Sequence, residues 1–250
     1  SKMETKKKFS MTLAEPEVLK NSIKVLAELL TEAQLNISRD GIKIVEVDAV
    51  NVGMAVFDLL PSCCVEYDIK EPITIGLNLE NFYSILKNIK KSDILVLSLD
   101  ADKEESIPIE KPSAMAMDNP EQHDKSQIGG YRVVKTSANN LDISLKGSIT
   151  RNYTLPLIDL SDISETKIPN LEFKAKIKMP SDAFADAVKE ADTIAESVTF
   201  EAIETHAIFS PEQKAAHMPN LFTMSANGDL QKLNIPFKED ENTKIEGSAK

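Results

Sequence analysis

One pattern recurs three times along this chain, and it narrows the possible folds more than any other feature. Residues 9–38 read "FSMTLAEPEVLKNSIKVLAELLTEAQLNIS", residues 73–99 "ITIGLNLENFYSILKNIKKSDILVLSL", and residues 173–202 "FKAKIKMPSDAFADAVKEADTIAESVTFEA". Each opens with an alternating strand, passes a polar or proline-containing cap, runs through a helix of about three turns and leaves on a second alternating strand. The helices carry apolar stripes at helical spacing. These are Leu19, Ile23, Leu26 and Leu30; then Phe82, Ile85, Leu86 and Ile89; then Phe184, Val188, Ala191 and Ala195. The third stripe is rich in alanine, so its helix must approach its sheet more closely. The caps are Glu15-Pro16, Asn78 to Asn81, and Pro180-Ser181.

Further strands follow each helix: Ile42–Val47 and Val52–Leu59, Leu141–Lys146 and Thr150–Leu157, Leu221–Ser225 and Leu230–Ile235, the last pair joined through "ANGD". Two such units sharing a helix pair on one side of antiparallel sheet make an α+β domain, expected over residues 1–157. A third unit opens a second domain, 171–250, after an acidic extended connector at 158–170 that ends in a proline region. Residues 103–137, rich in Pro, Asp, Glu, Lys and Ser, read as an inserted surface loop, with an extra strand at Tyr131–Lys135.

Acids outnumber bases 40 to 29, a formal charge of −11, which opposes general affinity for nucleic acid but leaves room for a local basic face. There is no Trp, and aromatics make up 5%, so an aromatic platform for stacking bases is not expected. The two cysteines, Cys63 and Cys64, are neighbours and offer no disulfide framework. The basic N-terminus has no apolar stretch behind it, and no run reaches the length of a membrane span, so an intracellular protein is expected. The chemistry of catalysis is thin. His123, His206 and His217 all fall in loop segments, the carboxylate pairs look solvated, and neither a phosphate loop nor a metal-binding spacing occurs.

Four segments in order, "LKNSIKVLAELLTEAQLNISRDGIKIVEVDAVNVGMAVFDL", "GLNLENFYSILKNIKKSDILVLSL", "GSITRNYTLPLIDLS" and "KIKMPSDAFADAV", resemble proliferating cell nuclear antigen, the DNA sliding-clamp family, its archaeal branch most of all. The resemblance spans about residues 8–102, 138–202 and 221–237. It implies a sliding-clamp fold and a trimeric ring of subunits around duplex DNA, with helices lining the hole. Such a ring is a processivity factor for DNA replication and repair, not an enzyme. It needs no cofactor and no metal. Its implied partners are double-stranded DNA, DNA polymerase, a clamp loader, flap nuclease and ligase. The compartment would be the cytoplasmic nucleoid in an archaeon and the nucleus in a eukaryote.

Residue by residue, the resemblance places DNA contacts on Lys20, Lys24, Lys87, Lys90, Lys91 and Lys189. Lys87 and Lys91 are expected one turn apart on the second helix, clear of its apolar stripe, whereas acids crowd Lys20, Lys24 and Lys189. A partner groove is implied at Val47, Ala49, Val50, Asn51, Val52 and Met54, with Ile163, Ile168 and Pro169 from the connector. Alternation alone leaves open whether Val47 and Val52 point into the core. Subunit contact is implied through Thr150, Tyr153, Leu155 and Leu157 on one edge strand and Leu230, Leu233 and Ile235 on another.

Two departures bear on this reading. The family's second domain continues with a fourth unit, which this sequence lacks, implying a fragment or a reduced clamp. The 103–137 insertion is also unusual. An alternative is therefore a specialised subunit of a hetero-oligomeric ring, and a weaker one an enzyme that uses the loop histidines.

Overall fold

The computed structural model describes residues 6–110, 128–160, 166–205 and 219–250. The three histidines lie outside them. The chain divides into two compact units, Ser1–Ile168 and Pro169–Lys250.

In the first unit, β1 (Lys7–Leu13) leads into α1 (Glu17–Leu29). There follow β2 (Glu32–Ser38), β3 (Gly41–Val47), β4 (Met54–Leu59) and β5 (Glu66–Ile69). The second repeat runs β6 (Ile73–Asn78), α2 (Leu79–Leu86), β7 (Ile94–Asp100), the ribbon β8 (Lys103–Glu110) and β9 (Ile128–Thr136), then β10 (Asn140–Lys146) and β11 (Thr150–Pro156). Two antiparallel sheets result, ordered β11-β10-β7-β1-β5 and β4-β3-β2-β6. The repeats exchange their first strands. β1 leaves its own repeat to pair with β7, Met11 opposite Leu97, while β6 pairs with β2, Ala33 opposite Leu77. Each exchanged strand keeps one contact with its own repeat. Ile69 of β5 lies opposite Phe9 of β1, and Ile158, just past β11, bridges Gly76 of β6. The two repeats cannot be separated without opening both sheets.

Alternation explains the core. Phe9, Met11 and Leu13 of β1, Leu95, Leu97 and Leu99 of β7, and Leu141, Ile143 and Leu145 of β10 are buried on one sheet face. Helices α1 and α2 pack against each other and contribute Leu19, Ile23 and Leu26, then Leu79, Phe82 and Leu86, to the same core. The Asn78 side chain accepts a hydrogen bond from the Asn81 N–H at 2.9 Å, capping α2 as expected. Pro16 precedes α1 without a side-chain cap.

Three local expectations need correction. The second helix has eight residues, not three turns. It stops at Leu86 because the chain tightens there, Asn88 N–H bonding to Ile85 O and Ile89 N–H to Leu86 O. Residues 103–110 and 128–136 form a paired ribbon with Ile107 opposite Arg132, where sequence reading gives mostly loop. Strand β5 and the short helical turn Pro61–Cys63 before it went unread.

In the second unit, β12 (Ala175–Lys178) pairs with β16 (Lys244–Gly247), and β13 (Thr199–Ile203), β14 (Leu221–Asn227) and β15 (Lys232–Lys238) form a three-stranded sheet. The hairpin expected at "ANGD" closes with Gly228 N–H bonding to Gln231 O. Helix α3 (Ser181–Asp192) sits on this sheet through Ala187 and Ala191, buried with Met224 and Ala226. The close approach expected of an alanine-rich face is what forms. Phe184 and Val188, however, are each 38% exposed, so the apolar stripe is only partly covered among the described residues.

Candidate nucleic-acid interface and partner surfaces

The basic residues singled out in the first unit sit on the α1–α2 layer or the turn that follows it. Lys24 is exposed on α1. Lys20 is half-buried, and its ammonium lies 2.6 Å from Glu17, one turn earlier. Its charge is therefore shared with an acid on the same face. Lys87 caps the end of α2, and Lys90 and Lys91 occupy the turn after it, so the single helical face expected for Lys87 and Lys91 does not form. All three are exposed. Helix α3 presents Lys189, exposed and 3.7 Å from Asp186.

The turn that carries Lys90 and Lys91 is built on one acid. Asp93 is 2% exposed, and its Oδ2 accepts the Lys90 N–H at 2.7 Å. The same oxygen receives the Arg151 Nη2 donor, while Arg151 Nη1 donates to Asn88 O at 2.8 Å. The Lys90 N–H first, and Arg151 after it, hold the Asp93 carboxyl below the usual carboxylate range, against the opposing pull of burial. Sequence reading missed this pair. Its signal is an Asp just past "KNIKK", a polar residue poised to satisfy turn N–H groups, but nothing in a linear pattern names Arg151 as the partner.

The stretch at 47–54 forms the end of β3, a tight turn and the start of β4. Val47 pairs with Met54, and Asp48 O accepts the Asn51 N–H at 3.0 Å. The Asp48 carboxylate accepts the Val52 and Gly53 N–H groups at 2.8 and 2.9 Å. Asn51 takes a left-handed φ of 57°, which asparagine tolerates. This turn leaves Val50 72% and Val52 85% exposed, with Ala49 and Met54 also at the surface and Val47 half-buried. The question that alternation left open at Val52 is thus answered: its side chain faces solvent. Val56, on the same strand as Met54 and two residues on, extends the apolar surface. Ile168 is exposed at the end of the first unit and Pro169 at the start of the second; Ile163 lies outside the described residues.

Strand β11 is an edge of its sheet and β15 an edge of its own, so each offers a row of backbone groups along one side. Thr150 is exposed on β11, and Tyr153 is half-buried there. Leu155 points into the core at 4% exposure, and Leu157 packs against it, so neither is a surface anchor. Leu233 and Ile235 lie on β15 and are half-buried beneath α3. Leu230 is not on the strand; it sits in the preceding turn, 97% exposed.

A cleft of about 830 Å³ opens elsewhere in the first unit, lined by Lys70, Ile73, Asp102, Ser137, Ile158 and Leu160 among others. Of the anticipated residues it includes only Leu157. Among the described residues no cluster of His, Cys, Asp or Glu is arranged to hold a metal, and no helix is long and apolar enough to cross a membrane.

Residues 8–122 match the family model for the N-terminal domain of proliferating cell nuclear antigen. The DNA polymerase sliding clamp of Pyrococcus furiosus is 28% identical over 220 residues, covering 88% of this chain and 68% of that protein. That of Nanoarchaeum equitans is 22% identical over 238 residues, covering 94% and 75%. Among solved structures, proliferating cellular nuclear antigen from Entamoeba histolytica aligns with a TM-score of 0.71 at 16% identity, over 96% of this chain and 77% of that one. The Thermococcus kodakaraensis protein aligns at 0.68 and 19%, over the same shares. At these identities the structures speak for the fold.

Proposed function

We propose that this chain is a member of the proliferating cell nuclear antigen family of DNA sliding clamps and works as part of a ring around duplex DNA, a processivity factor that tethers DNA polymerase and other replication and repair proteins to the template. The observation that carries this reading is the exposed basic group Lys24, Lys87, Lys90 and Lys91 on the α1–α2 layer of a chain with a formal charge of −11. A ring needs little affinity per contact. Topology holds the duplex, and a few lysines that neutralise phosphates let the inner wall slide. The acidic remainder keeps other surfaces from trapping nucleic acid. Lys20 contributes less than Lys87, because Glu17 competes for its ammonium, and Lys189 stands in the same position beside Asp186.

The apolar turn at Ala49–Met54 is the docking surface for polymerase, loader, nuclease and ligase motifs. Each buried apolar anchor contributes roughly 1.5–3 kcal/mol, which suits partners that exchange. Backbone pairing between β11 of one subunit and β15 of the next closes the ring, with residues 158–170 joining the two clamp domains. The protein itself catalyses nothing and works where duplex DNA is, in nucleoid or nucleus.

The test is mass measurement by sedimentation with negative-stain imaging, alongside duplex binding over a salt series. An annular oligomer is expected, with affinity falling linearly on a log–log salt plot and the fall reduced in Lys87→Glu/Lys90→Glu/Lys91→Glu. A monomer that forms a ring only on adding a second clamp subunit would point to the hetero-oligomeric alternative. A monomer under every condition, with binding unchanged in the charge-reversed variant, would overturn the proposal.

A further inference from the structure

We infer that Asp93 and Arg151 are positioning residues for the phosphate-facing turn: their ion pair fixes Lys87, Lys90 and Lys91 in one presenting arrangement and ties it to the start of edge strand β11. The inference rests on the DNA-contact reading of these lysines.

Two anchors hold the turn after α2. Ile89 is an apolar pin, 7% exposed. A single apolar anchor leaves rotation about it free. The polar anchors remove that freedom. Asp93 takes the Lys90 N–H, and Arg151 takes both the Asp93 carboxylate and Asn88 O, so the guanidinium grips both flanks of the turn. Arg151 is the second residue of β11 and lies opposite Leu145 on β10. A planar fork of this kind restrains orientation as well as distance, which a lysine ammonium would not. The remaining wall is Gly147. A Cβ there would run into the Asp93 carboxylate, yet its backbone is not in the left-handed region, so alanine is excluded only by Asp93.

Simple charge arithmetic and positioning predict opposite outcomes at this site. Asp93 is an acid beside three phosphate-facing lysines. If proximity alone mattered, Asp93→Asn would bind DNA more tightly. If Asp93 positions the lysines, the same change weakens binding and flattens its salt dependence. Gly147→Ala makes the same mechanical change without altering charge.

The experiment measures binding of the full chain to a fluorescent 30-base-pair duplex by anisotropy across a potassium chloride series, with thermal melting of each variant as a check on folding. Lys87→Ala/Lys90→Ala/Lys91→Ala is expected to lower the log–log slope by up to three contacts, at about 0.9 each. Asp93→Asn and Gly147→Ala are each expected to lower it by at least one contact while remaining folded. Tighter binding by Asp93→Asn, or unchanged slopes in both variants with only the melting temperature reduced, would overturn the inference. If Asp93→Asn does not fold, Gly147→Ala decides. A lysine variant that loses slope while both positioning variants keep theirs defeats this inference alone. A lysine variant identical to wild type defeats the DNA-contact reading and the inference together.

Discussion

Tyr67 shows how a single side chain reports on the fold. Its hydroxyl donates to Ser38 O at 2.7 Å, and its ring meets Phe9 edge-on at 5.7 Å between centroids, linking β5 to the end of β2 and the middle of β1. Burial first, with Cys64 and Asp40 adding, pushes its phenol up to about 12. The folded chain thus holds this proton more tightly than the unfolded chain does. The resulting stability is complete below the ordinary phenol value of 10 and is lost as pH rises toward 12. Absorbance titration at 295 nm should show a phenol ionising above the ordinary value, and Tyr67→Phe should remove that component at a cost of about 1 kcal/mol in urea unfolding. Asp93 works in the opposite direction. Its lowered carboxyl pKa adds stability at neutral pH that drains away as pH falls below the ordinary 3.8, and Asp93→Asn should flatten that acid limb.

Among the elements, the ribbon β8–β9 stands apart. Ile107, Ile109, Tyr131 and Val133 are all substantially exposed, and a two-stranded ribbon with apolar residues on both faces gains little from folding alone. Limited proteolysis should cut within residues 104–135 before any other strand, and a short turn joining Asp102 to Ser137 should leave the melting temperature of the first unit within a few degrees. Protection of this segment in the free protein would contradict that expectation. The ribbon also marks where sequence reading thins out. Alternation in "ILVLSLD" and "LDISLK" reads clearly because one face is buried, whereas "KEESIPIE" alternates without any core behind it and so looks like loop. The stop of α2 at Leu86 was hidden for a similar reason. Ile89 keeps helical spacing, yet it is buried from a turn rather than from a helix. Among the residues singled out, Lys87 was legible as clear of the apolar stripe of its helix, whereas alternation left Val52 open and the Asp48 turn decides its exposure. Asp93–Arg151 was not, because its partners are 58 positions apart along the chain. Leu155 looked like an edge residue only until its strand's phase was known.

At the scale of the molecule, the two edge strands make the sharpest prediction. If β11 and β15 pair between subunits, Thr154→Pro, which removes a backbone donor from β11, should shift the sedimentation distribution toward monomer without unfolding the first unit, whereas Ser144→Ala on the interior strand β10 should leave the distribution alone. Equal dissociation by both, or by neither, would count against edge pairing. The exchange of β1 and β6 between repeats has a temporal consequence. In synthesis β7, one of the two neighbours of β1, emerges some eighty residues after it, at about 5–20 residues per second. For those seconds the first sheet lacks its middle, and the nascent chain displays a waiting edge. A ribosome pausing before Ile94 would lengthen that interval, and a helper that shields bare strands would shorten its hazards. The order of the strands along the chain thus sets an interval in which an unpaired edge is open to wrong partners.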